Sequence, residues 1–425
     1  MCCIDLYMVL CCWKMAAFEF VTTGLMNTND NKMRGMSRSF VSNTVSSKKI
    51  IQDYTLGTAF PQSRKGHTMV YLSNSLYLFG GKLANGTYKN DLWRYVFPDG
   101  PWTEIVAPNP PAPRAEHCMV VYNGNIYIYG GWGGTIPTSY SNLTIYNSIL
   151  GTWSVPVYAG GSVAMTTTYG AASIVVGSTL YLIGGVKAGA LITTGIFSCD
   201  LSTALLRWQT AGSLTNACYR MSAVVDSAGT FIYFYGGDTS FTVPNCLPNM
   251  LRYRLFNGTI VTVNSTPPTG VNGLAGYAMF INGINIFAYG GYTSGGLANN
   301  NLYMFNISNL TWSALPVSSP IASSYPRCLC ASASNGTTVY IDDGVSAASG
   351  ATTFYSETWS ISLSPSIIAT QLPTKQIYVG GPTFTLNGVQ FNATLSGLNL
   401  TVTLTVSQTA PSGLILTLSG LRLLI

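Results

Sequence analysis

Six apolar runs along the chain end in a pair of small residues: Tyr77 to Gly81, Tyr127 to Gly131, Tyr181 to Gly185, Tyr233 to Gly237, Phe287 to Gly291 and Tyr340 to Gly344. Five of the pairs are Gly-Gly and the sixth is Asp343-Gly344; their last residues stand 50, 54, 52, 54 and 53 positions apart. An aromatic residue sits four positions before the end of every pair. A fixed period of about 50 residues is the mark of a repeated β-sheet unit, in which each small sheet buries too little by itself and must be covered by its copies.

Other landmarks keep the same period. Seventeen positions before each pair's end stand Arg64, Arg114, Thr168, Arg220, Leu274 and Arg327. A second apolar run follows each pair and carries Tyr95, Tyr146, Phe197, Tyr253, Phe305 and Trp359. A third run carries Trp102, Trp153, Trp208 and Trp312, with Ile260 in the fourth unit. Asn123-Gly124-Asn125 and Asn282-Gly283-Ile284 supply hairpin chemistry between the first two runs of their units.

This order of Arg, strand, turn, aromatic strand, Gly-Gly, strand, turn and Trp strand resembles the kelch repeat family over about residues 50–372. The resemblance implies an all-β, six-bladed kelch-type β-propeller. Each blade would be a four-stranded antiparallel sheet whose inner strand begins near the Arg and whose second strand ends at the glycine pair. Radial packing leaves few exposed sheet edges. The sixth unit has no Trp strand after Trp359. Closure by Lys49–Leu56, which lies ahead of Arg64 where other units place that strand, is preferred over a local strand at Ile367–Leu372. A seventh blade at Gly380-Gly381 would break the period, coming 37 residues after Gly344.

The flanking segments do not fit the repeat, so the chain is read as residues 1–48, an N-terminal extension and linker; 49–372, the propeller; and 373–425, a β segment. Met1 to Met26 is apolar but interrupted by Asp5, Lys14 and Glu19. It falls short of the roughly 20 apolar residues of a membrane span, and it lacks the basic start of a signal peptide. Near the other end, Thr383 to Phe391 resembles the opening of an Ig-like domain of the transcription-factor/plexin type, and Pro411 to Leu414 suits its later part, so the segment reads as a short, partial β-sandwich-like domain.

Charge restricts the function. The 20 basic and 14 acidic residues give a net charge of +6. By segment this is +3 over residues 1–50 (six basic, three acidic), +1 over 51–373 (twelve, eleven) and +2 over 374–425 (two, none). A nearly neutral propeller is a poor tracker of phosphates, which argues against nucleic acid as a partner.

Candidate chemistry is sparse. The two histidines, His67 and His117, occupy the same repeat position, where the other units hold Ala171, Ala223, Tyr277 and Cys330. Two histidines in one repeated slot are read as inner-strand hydrogen bonders rather than as metal ligands or a base. Asp342 and Asp343 are read as a substituted glycine pair, with side chains on opposite faces of a strand. There is no C-x-x-C, P-loop, His-Glu-x-x-His or Gly-x-Ser-x-Gly pattern. Cys199 and Cys218 could pair if oxidised, whereas Cys118 and Cys330 read as small core residues. The expectation is a non-enzyme with no cofactor and no metal; a propeller metalloenzyme of the oxidase type is the remote alternative.

What remains is surface. The loops after the pairs and the loops between blades emerge on one face. That face collects Trp132, Tyr140, Phe241, Tyr292, Phe354 and Tyr355, with Arg64, Arg114, Arg220 and Arg327 close by; aromatics and arginines are what binding hot spots favour. These ten residues are the candidate site, for a protein or glycan partner. The bland role of the arginines is to cap backbone carbonyls at blade junctions. Nine Asn-x-Ser/Thr sequons, at Asn85, Asn142, Asn257, Asn264, Asn306, Asn309, Asn335, Asn392 and Asn399, suggest a secreted glycoprotein. An intracellular scaffold using the same face is the alternative.

Overall fold

The computed structural model describes residues 17–20, 47–50, 60–98, 100–134, 140–162, 168–267, 272–315, 326–348, 352–362, 368–369, 377–378, 384–395, 398–408, 415–416 and 421–424. Two compact units divide the chain, Thr44–Leu363 and a second drawn from Met1–Asn43 with Ser364–Ile425.

Within Thr44–Leu363 each repeat folds as a four-stranded antiparallel sheet in up-and-down order. The first blade is Thr68–Leu72, Ser75–Phe79, Leu92–Val96 and Trp102–Ile105. The second is Cys118–Tyr122, Asn125–Tyr129, Leu143–Asn147 and Thr152–Ser154. Three more follow with inner strands Ala172–Val176, Ser222–Val225 and Ala278–Asn282. The inner strand of the sixth is Ala331–Ser334, and it adjoins both Ala278–Asn282 and Thr68–Leu72, so the six inner strands close into a ring. This is a six-bladed propeller.

The sixth blade is completed from the N-terminal side. Ser47–Ile50 pairs antiparallel with Thr358–Ser362, register Lys49↔Trp359. The closing strand therefore starts two residues before the expected Lys49, and residues 51–56 of that expectation lie outside the described residues. The alternative at Ile367–Leu372 belongs to another sheet: Ile368–Ala369 pairs with Phe384–Leu395.

Aromatic stacks fill the seams between blades. Trp153 lies 5.6 Å from Phe79 of the preceding blade and 5.0 Å from Tyr146 of its own. Trp312 repeats this against Tyr235 (4.8 Å) and Phe305 (5.2 Å), and Trp208 packs on Tyr129 (5.3 Å). The seam that has Ile260 instead of Trp has Ile183 where its neighbours carry Phe79, Tyr129 or Tyr235, and it is packed as an aliphatic and aromatic core. Tilted ring pairs at these distances add stability beyond their buried area.

The glycine pairs bring adjacent blades into backbone contact. The second residue of each donates its N–H across the seam: Gly81 to Arg114 O (2.8 Å), Gly131 to Thr168 O, Gly185 to Cys218 O, Gly237 to Leu274 O, Gly291 to Arg327 O and Gly344 to Arg64 O. At Gly130 and Gly236 a Cβ would sit 2.1 Å and 2.0 Å from the carbonyl oxygens of Thr168 and Leu274. Both have φ near +70°, so the close approach and the left-handed backbone both demand glycine.

In the second unit Phe384–Leu395 and Leu398–Gln408 form a long hairpin whose register shifts between Leu386 and Val389. Ile377–Tyr378 pairs with Ile415–Leu416, and Ala17–Phe20 with Leu421–Leu424. The Gly380-Gly381 and Pro411–Leu414 expectations, and most of the 1–48 extension, lie outside the described residues.

Candidate functional site: the mouth of the propeller channel

One end of the channel is closed by a ring of backbone hydrogen bonds, one residue from each blade. Glu116 N–H donates to Gly66 O (2.6 Å), Gly170 to Glu116 O (2.8 Å), Arg220 to Gly170 O (2.6 Å), Gly276 to Arg220 O (2.8 Å), Leu329 to Gly276 O (2.8 Å) and Gly66 to Leu329 O (3.0 Å). All six have φ between 54° and 64°, in the left-handed region. Glycine alternates with a larger residue around the ring, and the larger side chains cover the glycines. A Cβ on Gly66 would meet Glu116 Cγ at 3.1 Å, and one on Gly276 would meet Leu329 Cδ2 at 2.8 Å.

This ring corrects the repeat register of the fourth unit. Its first hairpin, around Asp226 to Phe231, is two residues longer than the others, so counting 17 back from Gly237 lands on the ring residue. The fourth-blade equivalent of Arg64 is Cys218, whose carbonyl accepts from Gly185. The equivalent of the histidines is Met221 rather than Ala223, and it faces Gly237 as His67 faces Gly81 and His117 faces Gly131.

The candidate arginines therefore divide. Arg64, Arg114 and Arg327 are buried, and each donates Nη1 to the first residue of its pair: Gly80 O at 2.8 Å, Gly130 O at 2.8 Å and Asp343 O at 3.2 Å. Arg64 also grips Asp91 with both nitrogens (2.7 and 2.9 Å). Tyr140 roofs Arg114 (4.0 Å) and Tyr355 roofs Arg327 (5.0 Å), each bonding through its hydroxyl to the residue before the Arg, Pro113 O and Pro326 O. Burial pushes Arg114 down to about 10, which leaves it charged at neutral pH. These three are junction braces held away from solvent.

Arg220 belongs to the mouth. It bonds Glu116 through Nε (2.9 Å) and Nη2 (2.5 Å), bonds the Tyr292 hydroxyl through Nη1 (3.3 Å) and lies over Tyr219 (4.9 Å). Tyr292, fully buried, donates onward to Asp238 (3.0 Å), which also accepts from Ser240 N and Asn245 N. Around this network stand Trp132 on Tyr169 (5.5 Å) and Phe241 on Tyr219 (5.2 Å), with Phe354 beside the Lys65 ammonium (5.6 Å). Trp132, Tyr140 and Phe354 are half-buried, Phe241 is exposed, and Tyr355 is buried. Sequence reasoning built on aromatics and arginines missed exposed Leu191, Val243 and Leu297 in the same post-doublet loops, and missed Glu116 and Lys65.

His67, Asp342 and Asp343 converge in the seam of the sixth and first blades, with ligand-type atoms all within 4.8 Å. Asp343 has φ 49°, so the strand alternation expected of the two carboxylates ends there. Each carboxylate oxygen already accepts a hydrogen bond: Asp342 from His67 Nε2 (3.2 Å) and the Thr358 hydroxyl, Asp343 from Arg64 N (3.1 Å) and Glu357 N (3.0 Å). The residues could hold a divalent cation only by surrendering those bonds. Burial lowers the pKa of both histidines, so neither carries charge near neutral pH.

The fold and this mouth define a kelch-type propeller. The family described as KLHDC2/KLHL20/DRC7 Kelch-repeats domain matches residues 20–208 and 170–376, and the chain belongs to it. Human Kelch domain-containing protein 10 is 26% identical over 284 residues, 61% of this chain and 62% of that protein. The Xenopus laevis protein of that name is 27% identical over 314 residues, 68% and 73%. The Drosophila melanogaster Leucine-zipper-like transcriptional regulator 1 homolog is 25% identical over 268 residues, 59% and 26%. The chain spans less than two thirds of the human relative's length.

Proposed function

We propose that the chain is a non-catalytic kelch scaffold that docks a protein partner on the mouth face, and that it works inside the cell. The observation that carries this reading is the run of exposed apolar side chains, Leu191, Phe241 with Val243, and Leu297, on the post-doublet loops of three successive blades. Apolar groups gathered beside a rim of half-buried aromatics are the composition of an interface centre.

Two observations favour the intracellular setting over a secreted glycoprotein. The described cysteines are unbridged, Cys199 and Cys218 included. The sequons at Asn257, Asn309 and Asn335 each serve a local purpose. The Asn Oδ1 accepts both the backbone N–H and the hydroxyl of the Thr two residues on, an Asx turn that needs Asn and Thr without a glycan. Turn chemistry at Oδ1 thus supplies a reason for the pattern at these sites that needs no glycan on Nδ2. Burial raises the thiols of Cys118, Cys218, Cys246 and Cys328 to about 12, which removes them as nucleophiles and supports the non-catalytic reading.

Photo-crosslinking tests the face. A benzophenone amino acid at position 241 or 297 is expected to capture a defined protein in living cells, and the same group at position 256, in the turn at the far end of its blade, is expected to capture none of it. Equal capture from both ends would refute a specific docking face.

A further inference from the structure

Charge on the mouth face is one-sided in a way that net charge conceals. Its acids are engaged: Asp91 by Arg64, Glu116 by Arg220, Glu357 by Arg327 at 3.6 Å and Trp359 Nε1 at 3.0 Å, and Asp238 by Tyr292. Its lysines are not. Among the described residues the ion pairs are Arg64–Asp91, His67–Asp342, Arg220–Glu116 and Arg327–Glu357, and none includes a lysine.

Two of those lysines are set opposite one another. Arg64–Lys65 pairs antiparallel with Lys82–Leu83, register Lys65↔Lys82. Directly opposed residues project to the same side of a pair, and like charges so placed repel by up to about 1 kcal/mol. Aromatic rings fix both heads: the Lys65 ammonium lies 5.6 Å from the Phe354 ring and that of Lys82 lies 5.1 Å from the Tyr88 ring. Lys65 is half-buried beside ring residue Gly66, and burial, then Arg220, lower its pKa against a smaller opposing pull from the Glu116 carboxylate, which Arg220 already pairs. A pair of cations held in register, partly desolvated and outside any ion pair among the described residues is complementary to an anion supplied from outside.

We propose that the partner engages the mouth through an acidic segment, a Glu or Asp carboxylate bridging Lys65 and Lys82 while its apolar residues lie on the Phe241–Leu297 side. This rests on the docking reading above and names the partner's chemistry.

The test uses the full chain and a fluorescein-labelled peptide of alternating Glu and Ser, with the Gln-for-Glu peptide as control, read by fluorescence anisotropy. The Glu peptide is expected to bind and the Gln peptide not. Lys65→Gln with Lys82→Gln is expected to weaken binding at least about tenfold, as is raising salt from about 50 mM to 0.5 M, whereas Lys82→Arg and the remote Arg254→Gln leave it within about twofold. Circular dichroism confirms that each variant is folded. Equal affinity for the Gln peptide, no binding of the Glu peptide, or unchanged binding by the double lysine variant would overturn the proposal. Loss of partner capture in Phe241→Ser with Leu297→Ser, but not in the lysine variant, would leave the docking reading standing and sink this one.

Discussion

Glu116 and Arg220, from the second and fourth blades, join across Gly170 of the third, the Glu116 carboxylate taking Nε at 2.9 Å and Nη2 at 2.5 Å of one guanidinium. The pair spans the channel mouth with only 18% and 19% of the side chains exposed. Arg220→Met leaves a partly buried carboxylate without its ion-pair partner and removes one of the two hydrogen bonds at the Tyr292 hydroxyl. It is expected to destabilise the propeller by about 2 kcal/mol, discounted from the 3–5 of a fully buried pair for the residual solvent. Glu116→Gln with Arg220→Met removes both charges and should recover part of that loss. Urea midpoints of the single and double variants check it.

The glycine pairs separate backbone crowding from backbone twist. Gly130→Ala places a Cβ 2.1 Å from Thr168 O at φ +71° and is expected to cost more than about 3 kcal/mol or to abolish folding. Gly177 has φ +60° but nothing within 4 Å, so Gly177→Ala adds only the left-handed strain, about 1 kcal/mol. Thermal unfolding of the two variants side by side gives the contrast; similar losses would deny the crowding.

Closure by Ser47–Ile50 makes a truncation test. A chain beginning at Thr44 is expected to unfold at the same denaturant concentration as the full propeller. One beginning at Gln52 exposes the edge of Thr358–Ser362 and is expected to aggregate or lose cooperativity. Equal stability of both would show that the strand does not close the blade.

Acid should weaken the fold through its histidines. Burial depresses both His67 and His117 below their ordinary value. The unfolded chain therefore binds protons that the folded one refuses, and stability falls as pH drops through about 6.5, by up to about 1.4 kcal/mol per pH unit for each histidine. Asp343 opposes this. Burial and the Asp342 charge raise its pKa, so the stability it contributes is present at low pH and is lost as pH rises through its folded value. His117→Gln, which keeps a polar partner for the Thr68 hydroxyl, is expected to reduce the loss of urea midpoint between pH 7 and 5.5 relative to wild type; a variant profile parallel to the wild-type one would contradict the account.

The architecture was readable because blade geometry imposes residues locally: Gly130 where a carbonyl crowds, Trp153 where a seam must be filled. Spacing failed where a turn changed length. The extended hairpin at Asp226 moved the count by two and turned ring residue Arg220 into an apparent fellow of Arg64, while Cys218, with no guanidinium to announce it, was read as a possible disulfide partner and not as the Arg64 equivalent. The site was less legible for a related reason. Arg64, Arg114 and Arg327 have the composition of a hot spot and equally of junction caps, and composition does not choose between the two; the fold places them on carbonyls. Lys65 and Lys82 lie 17 residues apart; the pairing that opposes them recurs at the same position of every blade, but the other blades carry no lysine pair there, so the repeat does not announce it.

The most direct test of the docking claim is quantitative co-purification from cells with three forms of the chain: wild type, Phe241→Ser with Leu297→Ser on the mouth face, and Phe256→Ser with Ile284→Ser in turns at the far end. All four substitutions fall on exposed side chains, so folding should be kept. The crosslinked partner is expected to be lost only from the mouth-face variant. Retention there, or loss from the far-end variant alone, would contradict docking on the mouth.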